Sequence, residues 1–288
     1  MVLLACPTCH QTLDETRLVC PEGHAFEITN GVLSLLDAPF AHRLNRFNAT
    51  LAQYRAATGR RLLDPAVYPE LPFAAALRSQ FEWRLRRYDW AVAQKWVGTQ
   101  PRRVLDIGAW NGWLSHRLAL MGHEVTAVDY FTDPYDGLGA NRFYPTTWQA
   151  IQMDLTDLSP LPPVFDCIIL NRCLAFFGDP TAYVAHVRTK LAAGGRLLLT
   201  GLAFYHDPSA KARSVAAMTQ QYRQQYGIDM FLNPTKGYLD GEDQRRLAAA
   251  GVKLAPYPRL LPANLKAWLR PQYPRYFYGQ VTDAGEVT

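Results

Sequence analysis

Charge is scarce and nearly balanced in the 288-residue chain: 25 Asp and Glu stand against 30 Lys and Arg, 19% of all residues. A net charge of +5 is mild: it permits contact with an anionic partner, and a solvated basic surface is the preferred reading. No run of about 18 apolar residues occurs, which excludes a membrane-spanning helix; no membrane partner is expected, and a cytoplasmic location is the default. The start, Val2-Leu3-Leu4-Ala5-Cys6, has no basic n-region and no apolar segment of roughly 7–15 residues, so it is not read as a secretory signal. Repeats and low-complexity stretches are absent. Cysteine is rare, five residues in all. Cys6, Cys9 and Cys20 cluster near the start, while Cys167 and Cys173 lie in an apolar region and are read as packing residues. A disulfide framework does not leave this pattern in a chain that is 49% hydrophobic and able to build a large core.

The early cysteines have another use. Cys6-Pro-Thr-Cys9 and Cys20-Pro-Glu-Gly-His24 are two knuckles with turn-forming Pro and Gly between the ligands. Zn²⁺ takes four tetrahedral S or N ligands, and a segment of about 35 residues cannot fold on its own core. Cys6, Cys9, Cys20 and His24 are therefore expected to hold a structural Zn²⁺. His10, beside Cys9, is a competing fourth ligand; His24 is preferred because it completes the second knuckle. Phe26 to Val32 alternates apolar and polar residues around Asn30-Gly31, a hairpin signal. Residues 1–37 are read as a zinc ribbon, ending at Ala38-Pro39.

From Leu44 through Phe47, Leu51 and Tyr54, apolar residues recur at spacings of three and four, and they do so again from Phe73 through Leu77, Phe81, Leu85, Tyr88, Val92 and Trp96. Two helices broken at Pro65–Pro72 follow, and residues 38–100 are read as a helical linker or cap. Residues 101–288 change character. Strands at Val104–Ile107, Val125–Asp129, Ile151–Met153, Phe165–Leu170 and Leu197–Leu202 alternate with helices at Trp113–Met121 and Thr181–Leu191. This predicts an α/β, Rossmann-like, mostly parallel sheet with helices on both faces. A helical insertion is expected over about 206–240, then a helix at Glu242–Ala250 and closing strands at Val252–Ala255 and Tyr276–Val281.

The segment Val104-Leu-Asp-Ile-Gly-Ala-Trp-Asn-Gly-Trp113 joins the first strand to the first helix. Glycines there let the chain turn sharply and bring backbone N–H groups close to a ligand at the helix N-terminus. Asp129, ending the second strand, can accept hydrogen bonds from ribose hydroxyls. Nicotinamide dinucleotides carry a pyrophosphate, and Asp106, two residues ahead of Gly108, would repel it. A cofactor with an ammonium group and a sulfonium suits that carboxylate instead, which selects S-adenosylmethionine over NAD.

The stretch from Val104 to Leu202 resembles the class I S-adenosylmethionine-dependent methyltransferases, whose first motif is typically Asp-x-Gly-x-Gly-x-Gly. Asp106, Gly108 and Gly112 match, and Trp110 stands where the middle glycine would be. The resemblance implies S-adenosylmethionine as cofactor and S-adenosylhomocysteine as product. It implies Asp106, Gly108, Ala109, Gly112, Asp129, Tyr130, Asp154, Leu155 and Asn171 as the cofactor-binding residues, with Asp129 holding the ribose, Asp154 on the adenine amino group with Leu155 packing beside it, and Asn171 at the active-site rim. The ribbon resembles that of bacterial ribosomal RNA guanine-N1 methyltransferases, where it contributes to RNA recognition, so RNA is an alternative acceptor.

On the acceptor side, Asn171 follows the fourth strand, and Tyr205 and His206 follow the fifth. His206 is the candidate general base, with an unperturbed pKa of about 6.5. Arg84, Arg86, Arg87, Arg102 and Arg103 do not share one helical face and are read as solvated. The reading is a methyltransferase acting on an unidentified small-molecule acceptor. An RNA methyltransferase and a non-catalytic S-adenosylmethionine-binding scaffold are the alternatives; oligomeric state is left open.

Overall fold

A computed structural model of the chain describes residues 2–14, 16–59 and 64–282; residues 283–288, the end of the expected methyltransferase region, lie outside the described residues. Apolar runs rich in Val, Ile and Leu form the central strands: β3 (Arg103–Ile107), β4 (Glu124–Asp129), β5 (Gln149–Met153), β6 (Phe165–Asn171) and β7 (Leu191–Tyr205). All five are parallel, in the order β5-β4-β3-β6-β7. Residues on the two faces of such a sheet are both buried, which is why these strands read as continuous apolar runs. Cys167 and Ile169 of β6 face one core, and Ile168 and Leu170 face the other.

Helices cover both faces. α2 (Phe81–Val97) and α3 (Trp113–Leu120) pack Trp83, Trp90, Val97, Trp113 and Leu118 against the first face. α4 (Pro180–Arg188) and α6 (Gly241–Ala249) pack Tyr183, Val184, Val187 and Leu247 against the second. Their starts follow from local chemistry. Asp179 accepts hydrogen bonds from the Thr181 and Ala182 amides with Pro180 at the first position, and Asp240 with Asp243 forms a capping box. The helix expected to reach Leu191 stops at Arg188, and Leu191 instead opens β7 opposite Phe165. α1 (Ala38–Ala57) precedes α2 in the chain, and α5 (Ser209–Tyr226) falls in the expected insertion, followed by the short β8 (Leu239–Asp240) beside β7. Past β7, β9 (Lys253–Pro256) and β10 (Arg275–Thr282) form an antiparallel pair, with β10 antiparallel against β7 and α7 (Leu261–Leu269) between β9 and β10 in the chain.

The N-terminal hairpin is part of this sheet. β1 (Glu27–Thr29) pairs with β2 (Val32–Leu35), and β2 adds to β5 in parallel register, with Leu33 opposite Ile151. Val2, Leu4, Leu13 and Cys20 share one core cluster with Ile151, Leu158 and Leu161. The connection from β5 to β6, residues 154–164, contains no helix, although a parallel crossover commonly carries one. The N-terminal segment lies over this connection, with the Ala5 amide donating to the Pro160 carbonyl at 2.9 Å. It covers the apolar surface that a crossover helix would otherwise cover.

Candidate functional site

β3 has β4 on one side and β6 on the other, so the chain winds outward from β3 to β5 and returns to begin again at β6. In open α/β sheets a ligand crevice forms at this switch point, outside the carboxyl ends of the strands. The glycine loop lies there. Gly108 (φ +71°) and Gly112 (φ +78°) adopt left-handed backbone, and a Cβ on Gly108 would stand 2.8 Å from Cβ of Cys173, just past the end of β6. Trp110 also adopts left-handed backbone, at φ +53°, a conformation costing a non-glycine residue on the order of 1–3 kcal/mol. Its surroundings hold it. The Trp110 amide donates to Asp129 at 2.6 Å, the indole N–H to Asp136 at 2.8 Å, and the ring lies against Trp83 and under the Arg86 guanidinium. Asp136 is in turn bound by Arg55 of α1.

Two fully buried side chains of the loop each have a polar atom with no partner among the described residues. Asp106 accepts from the Ser115 hydroxyl at 2.7 Å through one oxygen, while its Oδ1 has no partner. Asn111 accepts from the Trp113 amide through Oδ1, while its Nδ2 donates to nothing. An acceptor and a donor left unsatisfied at one loop match the ammonium and carboxylate of an amino acid. Burial pushes the Asp106 carboxyl up to about 7, with the Asp129 charge adding to the shift and Ser115 opposing it. Burial likewise raises Asp129 to about 6, against the amide donors of Trp110, Phe131 and Tyr130.

Asp154 lies past the end of β5, its Oδ1 accepting from the Thr156 amide and hydroxyl and lying 3.5 Å from the Tyr130 hydroxyl. Leu155 is buried and its carbonyl accepts from Tyr183. Asn233, in the segment after α5, donates to the Tyr130 hydroxyl, and Asn48 of α1 to the Tyr130 carbonyl. Asp106, Gly108, Ala109, Gly112, Asp129, Tyr130, Asp154, Leu155 and Asn171 thus all lie at the carboxyl ends of β3, β4, β5 and β6. Tyr205 and His206 do not join them. Asn171 pairs with Thr200 in β7, and β7 continues five residues further, carrying Tyr205 roughly 16 Å along the strand from that level. His206 faces a separate groove of about 810 Å³ with Asp240, Gln244, Leu254 and Phe277. Burial, followed by the nearby Arg275, holds its imidazole below the usual range.

Asp89, not singled out in the sequence, and Arg86, read there as solvated, lie in the cap helix beside the site. Asp89 of α2 is 2% exposed. It accepts from Tyr257 at 2.6 Å and from Asn171 at 3.3 Å, and pairs with Arg172 at 3.2 Å. Arg86 is not solvated as expected but is stacked on Trp83 and Trp110, with its Nε unpaired. In the sequence, Asp89 shows only as an acid three residues after an arginine on a helical segment, which names none of its partners.

At the N-terminus, Cys6, Cys9, Cys20 and His24 place all their ligand atoms within 4.8 Å of one another. Cys9 and Cys20 sulfurs are 3.5 Å apart, and His24 Nδ1 is 3.2 Å from Cys20 and 3.6 Å from Cys6. A tetrahedron with Zn–S of about 2.3 Å and Zn–N of about 2.0–2.1 Å has edges of roughly 3.5–3.8 Å, so the separations of 3.2, 3.5 and 3.6 Å are close to that geometry without matching it throughout. His10 lies outside the cluster, its Nδ1 3.2 Å from the Ser159 hydroxyl.

This switch point, with its acid ahead of a glycine turn and a second acid one strand on, has the arrangement that the resemblance to class I S-adenosylmethionine-dependent methyltransferases implies. Residues 77–234, more than half of the chain, match the family described as "Methyltransferase domain", and the chain belongs to that family. The ubiquinone biosynthesis O-methyltransferase of Aeromonas salmonicida is 28% identical over 120 residues, covering 40% of this chain and 48% of that protein. The protein of the same name from Xylella fastidiosa is 35% identical over 111 residues, 37% of this chain and 44% of that one. The chain thus spans about half the length of these curated relatives. Among solved structures, phosphoethanolamine N-methyltransferase 2 of Haemonchus contortus in complex with S-adenosyl-L-methionine is similar at a TM-score of 0.45 and 12% identity, over 77% of this chain and 60% of that one. No helix among the described residues is long and apolar enough to cross a membrane.

Proposed function

We propose that the protein transfers the methyl group of S-adenosylmethionine to a small-molecule acceptor, and that its N-terminal cluster holds a structural zinc ion. The observation that carries the first part is the pair of unsatisfied buried groups, Asp106 Oδ1 and Asn111 Nδ2, at the glycine turn. In this reading Asp106 holds the ammonium group, Asn111 the carboxylate, Asp129 the ribose hydroxyls and Asp154 the adenine amino group. The cofactor supplies an electrophilic methyl on a sulfonium. The chain's part is to align an acceptor nucleophile behind that methyl, and Asn171 and Arg172, fixed by Asp89, form the nearest polar wall. α1 and α2 roof the crevice through Asn48, Trp83 and Arg86, which suits a compact acceptor. The relatives named above, both called O-methyltransferases of ubiquinone biosynthesis, support an acceptor of small size.

Calorimetry with S-adenosylmethionine and S-adenosylhomocysteine tests this directly. Both are expected to bind, and Asp129→Ala is expected to weaken binding by about 1–3 kcal/mol, the scale for losing hydrogen bonds to a charged group. A folded protein that binds neither would refute methyl transfer. Salt-sensitive binding of ribosomal RNA would move the acceptor from a small molecule to RNA.

A pH dependence follows from Asp106. Its carboxyl must be ionised to pair with an ammonium group, and in the free protein it ionises at about 7. Affinity should therefore be full above that pH and fall as pH drops through it, to about one tenth at pH 6 of its value at pH 8. In Asp106→Asn the affinity should be weak and nearly flat over that window. Because the wild-type acid ionises at about 3.9 when unfolded, ionising it in the folded state costs stability. Asp106→Asn should accordingly gain heat stability relative to the ligand-free wild type as pH rises from 5.5 to 8.

A further inference from the structure

α7 presents an apolar stripe to solvent. Leu261, Leu265, Trp268 and Leu269 are 51%, 62%, 65% and 70% exposed, and at about 100° per residue they fall within one arc of the helix. The opposite side is anchored: Ala267 is fully buried, and Asn264 exchanges two hydrogen bonds with the backbone of Tyr276 in β10. Lys266 is exposed on the helix beside the stripe, Arg270 just past the helix end and Arg259 just before its start. From Lys253 to Thr282 the chain has five basic residues and no acid. Arg259 also lines a groove of about 510 Å³ with Lys95 and Arg196, and no acidic residue lines it.

We propose that this face docks on an anionic lipid bilayer, with the leucines and Trp268 in the headgroup–acyl boundary and the basic residues against lipid phosphates. A short helix with Leu and Trp on one side, Lys and Arg flanking them, and a fixed inner side has the character of an interfacial helix. The charge selects the partner: a one-signed basic surface around an apolar stripe repels a second copy of itself and matches an anionic surface. Nine residues leave no spanning-length hydrophobic run, so hydropathy along the sequence passes over it. α7 leads into β10, whose Arg275 pairs with Phe204, so the stripe lies toward the carboxyl edge of the parallel strands. The proposal does not depend on methyl transfer.

Co-sedimentation of the full chain with vesicles tests it. Vesicles of equal parts phosphatidylcholine and phosphatidylglycerol should pellet the wild type, and phosphatidylcholine alone should pellet much less. Leu265→Ser/Leu269→Ser and Lys266→Glu/Arg270→Glu should each weaken binding to the mixed vesicles by about tenfold or more, with S-adenosylmethionine affinity and melting temperature unchanged. Failure of the wild type to pellet with the mixed vesicles would overturn the proposal. So would equal pelleting by either double variant, or a wild-type dimer that the leucine variant dissociates in the absence of lipid binding.

Discussion

Cys20→Ser should leave the protein with almost no zinc, where the wild type retains about one ion per chain by elemental analysis. The effect should not stop at the ribbon. Zinc in small Cys/His sites contributes on the order of 10–16 kcal/mol to the segments that bind it, and here that segment shares the main core. Val2, Leu4 and Leu13 pack with Ile151, Leu158 and Leu161 over a crossover that has no helix of its own. Losing the metal should therefore uncover the α4/α6 face of the sheet as well. The expected readout is an unfolding free energy in urea lowered well beyond the 0.5–3 kcal/mol typical of single substitutions, or an early phase that exposes apolar surface to a dye. A zinc-free wild type, folded through residues 2–37, would show the cluster to be a set of free thiols. His10→Ala should keep its zinc, since that imidazole faces Ser159.

Asp89→Ala should cost about 3–5 kcal/mol in denaturant unfolding. It removes the partner of Arg172 and leaves that charge half-buried and uncompensated, while Tyr257 and Asn171 each lose an acceptor. Asp89→Asn should cost less, because an amide oxygen can still accept from Tyr257. If alanine were tolerated within 1 kcal/mol, the connection between the cap helix and the ends of β6 and β7 would be incidental to the fold. Gly201, whose amide donates to Tyr257, ties β7 into the same network.

Much of the sheet was legible because each central strand is buried on both faces and carries a continuous apolar run, and because the helices between them show a clear period. The cofactor crevice was legible for the same local reason: Asp106, Gly108, Gly112 and Asp129 sit at strand ends that the sequence marks. What escaped depends on distant partners. Nothing near Asp89 announces that Tyr257 and Arg172 meet it. Arg86 reads as a surface charge until Trp83 and Trp110 close around it. Tyr205 and His206 follow a strand whose first part was located, but its length was not, and the five residues past Thr200 carry them away from Asn171. α7 escaped because Pro258, Pro262, Pro271 and Pro274 punctuate its surroundings, although a proline in the first turn is compatible with a helix.

The pairing of β2 with β5 has a consequence for how the protein is made. Ser34 meets Gln152 across 118 residues of chain, so the N-terminal hairpin has no sheet to join until β5 has been synthesised. At about 5–20 residues per second this is a wait of roughly 6–24 s. A two-stranded hairpin is at best marginally stable alone in water, and during that interval Leu33 and Leu35 have no core to enter. The knuckles of the proposed zinc site span only Cys6 to His24 and can close as soon as they leave the ribosome. A nascent chain starved of zinc should then show its defect during synthesis, as protease sensitivity across those residues, before any catalytic property exists to be lost.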